Sequence, residues 1–134
     1  MILLHDVQAE RKAGDRLFEL SVDSFEVRTG ELVALVGPSG SGKSTLLDIL
    51  GLILAPSHFG TFIIAGEDIP IDALGLRDTA RLRRKIGFVL QHGALLPFLS
   101  VRDNIVLAAA LARERPDRAE VDDLCNELGL TGIL

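Results

Sequence analysis

Tryptophan and tyrosine are missing from this chain, whose only aromatic residues are six phenylalanines. That scarcity bears on how a flat aromatic ligand could be held. A single cysteine, Cys125, excludes an internal disulfide, and its place on an apolar helical stripe predicts a buried thiol. Long apolar runs are also lacking. Residues 105–112 form an apolar run of only eight, far short of the 18 or more that a membrane span needs. The first six residues, Met-Ile-Leu-Leu-His-Asp, break into charge too early for a secretory signal. A soluble, cytoplasmic chain is expected. Basic residues are in deficit, 14 Lys and Arg against 19 Asp and Glu, a net charge of −5, so nothing suggests a nucleic-acid surface.

What is present is enough for a core. Hydrophobic residues make up 48% of 134, the size of one modest domain or a piece of a larger one. The most informative stretch is Gly37-Pro38-Ser39-Gly40-Ser41-Gly42-Lys43-Ser44-Thr45, which fits G-x-x-x-x-G-K-[ST], the phosphate-cradling P-loop. Glycines at 37, 40 and 42 let backbone N–H groups converge on an anion with no Cβ in the way. Lys43 supplies a mobile charge for β- and γ-phosphate oxygens, Ser44 a hydroxyl for Mg²⁺, and a helix beginning near Lys43 aims its positive end at the phosphates. Chance coincidence of these residues is expected in roughly 1% of chains this long. The flanks lower the odds further. Residues 31–36 read as a buried strand entering the loop, and Leu46, Leu47, Ile49, Leu50 and Ile53 follow at helical spacing.

Around this centre, residues 2–8 predict a first strand and Ala13-Gly14-Asp15 a polar turn. Phe18, Leu20 and Val22 alternate, and Phe25 and Val27 do so on the opposite parity, which predicts a register slip or bend near Ser24. Residues 28–31 form a turn, so 1–36 reads as an antiparallel β layer. Residues 59–65 predict a strand, with Gly66-Glu67-Asp68 turning out of it. Gly66 interrupts the apolar run just before the acids, which favours a turn there over a strand ending in a metal-binding carboxylate. Residues 77–85 predict a short basic helix, whose Arg77, Arg81, Arg83, Arg84 and Lys85 read as a solvated face, and 86–90 a strand ended by Gln91. The loop 93–99 is unusually apolar for a connection. Ser100 to Asp103 resembles a capping box, opening a helix with Val101, Ile105, Ala108 and Ala112 on one face. Pro116 starts the last helix, with Val121, Leu124, Cys125 and Leu128 on its apolar stripe and Gly129 at its C-cap.

Three stretches together resemble the nucleotide-binding domain of ABC transporters, in the flavour of the bacterial lipoprotein-release and macrolide-export branch. They are residues 37–45, the segment Arg83-Arg84-Lys85-Ile-Gly-Phe-Val-Leu-Gln91, and Leu95-Leu-Pro-Phe-Leu-Ser-Val-Arg-Asp-Asn104. The resemblance implies an α/β P-loop NTPase with a RecA-like core, an N-terminal antiparallel β layer and the start of the helical subdomain. Within one domain, 1–134, it assigns 1–36 to the β layer and P-loop strand, 37–92 to the core and 93–134 to the helical part. It implies ATP and Mg²⁺ as ligands. Gly37, Pro38, Ser39, Gly40, Ser41, Gly42, Lys43, Ser44 and Thr45 would form Walker A, with Thr45 at the α-phosphate and Ser44 on the metal. Gln91 would be the Q-loop glutamine, also reaching Mg²⁺, its amide offering both acceptor and donor.

Two departures qualify the match. Where the family places an adenine-stacking aromatic this sequence has Arg11, which could stack on the base or be a plain surface residue. The turn from Pro56 to Gly60 is one residue longer than usual. Beyond these, the family's LSGGQ signature, Walker B strand with its catalytic glutamate, D-loop and switch histidine are not in this sequence; His5, His58 and His92 lie elsewhere. No catalytic residue is therefore assigned, and the chain alone is expected to be nearly inactive, as roughly the N-terminal 60% of such a domain. The resemblance further implies a membrane-embedded transporter subunit docking around 91–100, a second ATPase subunit, and a peripheral position on the inner face of the cell membrane. Rival readings are a non-catalytic nucleotide-binding fragment and another P-loop kinase or NTPase. The absence of [NT]-K-x-D counts against a GTPase.

Overall fold

The computed structural model describes the backbone of all residues except 14–15, 71–75, 91–94, 113 and 131–134. Two compact units divide the chain, Met1–Ile86 and Gly87–Leu134.

In the first unit, β1 (Ile2–Ala13) and β2 (Arg16–Val27) form a long antiparallel hairpin. The expected strand 2–8 thus runs five residues further. β3 (Thr61–Ile64) pairs with the other edge of β1, and β4 (Glu67–Asp68) with β3, giving the order β2-β1-β3-β4. No register slip occurs near Ser24. Leu4 faces Phe25, Val7 faces Val22 and Ala9 faces Leu20, so one register runs the length of the hairpin. Both strands change parity together, at Asp6 and at the residues opposite. Asp6 takes a left-handed φ of 51°, and the matched bend keeps all three apolar pairs on the core side.

Ala65 and Gly66 join β3 to β4 with φ of 52° and 78°, the left-handed pair that a two-residue hairpin turn needs to match strand twist. Glu67 and Asp68, expected in a turn, are therefore strand residues beyond it. The turn at 28–31 is present: Glu31 N–H donates to Arg28 O (3.1 Å), and the Glu31 carboxylate accepts from Arg28 N–H (2.8 Å).

α1 (Lys43–Leu50) lays Leu46 and Ile49 on the sheet. It is shorter than the apolar spacing to Ile53 predicts. Leu52 sits in the left-handed region at φ 57°, its N–H bonded to Ile49 O, while Ile53 N–H reaches back to Asp48 O. These two bonds close a Schellman-type end with Leu where Gly is usual. The strained backbone costs about 1–2 kcal/mol, and burial of the Leu52 side chain offsets it by about 2 kcal/mol. Ile53 is left exposed. Leu4, Val7, Ala9, Leu46, Ile49, Leu52, Phe62, Ile64, Ile69 and Leu82 make one buried cluster, and Phe59 packs edge-on against Phe62 with ring centres 5.4 Å apart.

α2 (Leu76–Arg83) carries most of the basic cluster, and Arg81, Arg83, Arg84 and Lys85 are exposed, as expected of a solvated face. Glu67 accepts from both Arg81 and Lys85, and the Arg83 guanidinium donates to Leu52 O. The hydrogen bonds from Arg81, then those from Lys85, hold the Glu67 carboxyl down at about 2, against an ordinary 4.5.

The strands expected over 31–36 and 86–90 do not form. Both segments are extended but unpaired, and Leu32, Val36 and Val89 are 98%, 88% and 95% exposed. A strand exists only with a ladder partner. The hairpin finds its partner a few residues away, whereas these two segments have none among the described residues.

In the second unit, α3 (Val101–Ala112) is capped by Ser100, whose Oγ accepts from Asp103 N–H at 3.1 Å and donates to the Asp103 carboxylate at 2.7 Å. Asn104 ties the preceding apolar loop to this cap, bonding Leu96 N–H and the carbonyls of Leu96, Leu99 and Ser100. Of the residues expected on one face of this helix, Val101 and Ile105 are half-buried and Ala108 is exposed. α4 (Arg118–Glu127) starts at an Asp117 capping box, one residue after Pro116. Val121 and Cys125 are buried, while Leu124 and Leu128 are exposed. Gly129 (φ 69°) closes the helix, with Gly129 N–H on Asn126 O and Leu130 N–H on Cys125 O.

Three outcomes are expected. Gly129→Ala, where a new Cβ meets nothing within 4 Å, should cost about 1 kcal/mol through backbone conformation alone, read from denaturant melts. The Glu67 contribution is complete above the ordinary 4.5, where the carboxylate is ionised folded or unfolded. It is lost as pH falls from there through about 2, so Glu67→Gln should flatten the acid dependence of Tm in that window. The bare apolar segments should drive concentration-dependent self-association in sedimentation velocity; a monomer at every concentration would contradict this.

Candidate phosphate-binding site

The loop between the unpaired segment 31–36 and α1 owes its shape to glycine. Gly37, Gly40 and Gly42 have φ of 154°, 82° and 91°, values that a side chain makes costly. Gly42 is also crowded. A Cβ there would lie 2.8 Å from Leu20 Cδ1 and 3.2 Å from Phe18 Cζ, so the loop rests directly on β2.

Lys43 braces this loop from within. Its Nζ donates to Gly37 O (2.9 Å) and Pro38 O (2.7 Å), and lies 3.4 Å from Ser41 Oγ. The ammonium is thus held at the mouth of the loop by short bonds to two carbonyls. α1 starts at Gly42 with no side-chain cap and no acidic residue in its first turn. Leu46 N–H makes the first helical bond, to Gly42 O (2.8 Å), which leaves the amides of Lys43, Ser44 and Thr45 without intrahelical acceptors. The open amides and the helix dipole favour an anion at this end.

Arg11, Phe18, Ser39, Gly40, Gly42, Lys43, Ser44 and Thr45 line a cavity of about 600 Å³ beside the loop. That volume suits a small-molecule ligand. Among the described residues the lining combines two cations, three hydroxyls and glycine backbone, with no carboxylate to repel a polyanion. The Ser44 hydroxyl, next to the cationic loop, fits a magnesium ion carried by a polyphosphate.

Of the residues singled out from sequence, Arg11, Ser39, Gly40, Gly42, Lys43, Ser44 and Thr45 come together on this cavity, and Gly37, Pro38 and Ser41 contact Lys43. Gln91 lies outside the described residues. Glu67 is neutralised by Arg81 and Lys85. Sequence reasoning missed Phe18, which it read only as part of an alternating strand; the register that pairs Phe18 with Arg11 brings it to the cavity.

Comparison with known proteins gives the same picture. The family model described as ABC transporter matches residues 20–134. A lipoprotein-releasing system ATP-binding protein, LolD of Paramagnetospirillum magneticum, is 45% identical over 106 residues, 78% of this chain and 46% of its own length. The macrolide export ATP-binding/permease protein MacB of Shigella flexneri is 42% identical over 135 residues, 97% of this chain and 20% of its own length. Among solved structures, the ATP-binding cassette MJ0796, in a dimeric post-hydrolysis state with ADP and Pi, superposes with a TM-score of 0.77 at 31% identity. That match covers 95% of this chain and 55% of the other. The chain thus spans about half the length, or less, of the relatives it matches. With the loop, the helix start and the family match in agreement, the chain belongs to the ABC transporter family.

Proposed function

We propose that this chain is the nucleotide-binding part of an ABC transporter ATPase, taking ATP with Mg²⁺ in the cavity beside residues 37–45. The observation that carries the reading is the Lys43 ammonium, fixed 2.7–2.9 Å from two loop carbonyls at the open end of α1. The same donors that grip neutral carbonyls bind a phosphate oxygen more strongly, because the bond becomes charge-assisted on both sides. Backbone amides of the loop and of the first turn of α1 hold the β-phosphate, and Thr45 the α-phosphate. Ser44, with Gln91, holds the magnesium, which when bound neutralises phosphate charge and orients the chain of oxygens.

Transport function comes to this chain from its relatives' names. The lipoprotein-releasing and macrolide-export proteins are both named as ATP-binding. In this reading residues 1–134 belong to one ATPase domain, divided at 36/37 and 92/93, the latter a few residues past the boundary between the compact units. Residues 91–100 dock a membrane-embedded subunit at the inner face of the membrane, and the exposed Leu95 and Phe98 support this. A second ATPase subunit completes the site, as the dimeric cassettes suggest. Among the described residues, no side chain lining the cavity is a base able to take a proton from water. Binding without appreciable hydrolysis is therefore the reading for these 134 residues alone.

Calorimetry should show uptake of Mg·ATP, weakened about a hundredfold in Lys43→Ala. Phosphate release by the pure chain should not differ from that of Lys43→Ala. Turnover that vanishes with Lys43 would mean that a catalytic group is present after all.

A further inference from the structure

Resting on the nucleotide reading, we infer that Leu20, which does not line the cavity, is a positioning residue for the phosphates. Its side chain fixes the start of α1, and with it the direction of the amides that meet the ligand.

A helix start is ordinarily fixed by a side-chain oxygen at the N-cap, which accepts from an amide of the first turn. α1 has no such bond. Its cap is Gly42, at φ 91° and ψ 2°, and no side chain returns to the first turn. The amides of Lys43, Ser44 and Thr45 stay open for an anion, but the usual restraint on their direction is given up. Glycine does not replace it, because without a Cβ its backbone has many conformations to choose from. Lys43 braces the loop upstream, at Gly37 and Pro38. At Gly42 itself the restraint is packing. Leu20 Cδ1 lies 2.8 Å from the point that a Cβ on Gly42 would occupy, closer than Phe18 Cζ at 3.2 Å.

The ground under Leu20 is firm. It sits directly opposite Ala9, which is buried, and packs on the core cluster that also takes Leu46 and Ile49 of α1. Leu46 N–H donates to Gly42 O at 2.8 Å. Gly42 is therefore held twice, by the first helical bond on its carbonyl and by Leu20 against its Cα. Shortening Leu20 opens a void beneath the one residue whose torsions set the direction of three free amides. The loss falls on whatever those amides bind, the phosphates, and is indifferent to the base. A leucine that only filled the core would instead change stability and leave affinity alone.

The test is calorimetry on this chain with Mg·ATP and with Mg·tripolyphosphate, which lacks a base, beside thermal melts. Leu20→Val keeps a good strand former and removes the tip that reaches Gly42, so the fold is retained. It should weaken both ligands equally, about tenfold, as when a support behind a binding group is removed. Leu20→Met, which refills the space with a flexible chain, should restore both affinities. Val22→Ala is the control for stability. It lies on the same face of β2 and packs on the same core, but farther from Gly42. It should lower Tm at least as much as Leu20→Val and leave both affinities unchanged. Unchanged affinity in Leu20→Val, loss of ATP without loss of tripolyphosphate, or an equal loss of affinity in Val22→Ala would each overturn the inference and leave phosphate binding intact. A wild-type chain that binds neither ligand would overturn the nucleotide reading itself, and the role of Leu20 with it.

Discussion

The site depends on a close approach at Gly42. There the phosphate loop ends, α1 begins, and β2 presses its Leu20 and Phe18 side chains against the backbone. A residue with a Cβ would have to displace the tips of the Leu20 and Phe18 side chains and would also resist φ of 91°. This one contact ties three elements together: the sheet supplies a rigid floor, the loop lies on it, and the helix leaves it with its amides open. Rigid support matters because anion binding by backbone dipoles works only if the dipoles are already aimed.

The hairpin is a firm floor because its stabilisation is local. β1 and β2 are consecutive, so pairing them closes only a short loop, and the matched bend at Asp6 keeps apolar pairs on one side over its whole length. β3 and β4 extend the same sheet through a two-residue turn. Polar ties then hold α2 to this layer. Glu67 binds Arg81 and Lys85, and Arg83 caps the carbonyl of Leu52 just past the end of α1.

What was legible in the sequence follows the same division between local and distant causes. The P-loop, the start of α1, the Ser100 cap, the helix start near Pro116 and the Gly129 stop are set by residues within one turn of each other, and spacing alone exposes them. The segments 31–36 and 86–90 were misread because apolar, β-branched runs state a propensity, whereas a strand is a pairing. The end of α1 was misread because burial of Leu52 outweighs its backbone strain, a balance visible only once the core is assembled. Phe18 was hidden for a related reason. Alternation says which face a residue takes, but where that face stops being core depends on the position of α1.

The net charge of −5 is no obstacle to holding a polyanion, because charge acts locally. Screening confines an exposed charge to about 8 Å at physiological salt, so a ligand in the cavity feels mainly Arg11, Lys43 and the helix start. Several acids are already paired elsewhere: Glu67 with Arg81 and Lys85, Asp122 with Arg102, and Glu26 with Arg28. Asp48 is the acid nearest in consequence, and its charge goes to the Arg11 guanidinium. That pairing is solvent-exposed and weak, which suits its place. It orients the arginine without tying up all five of its donors.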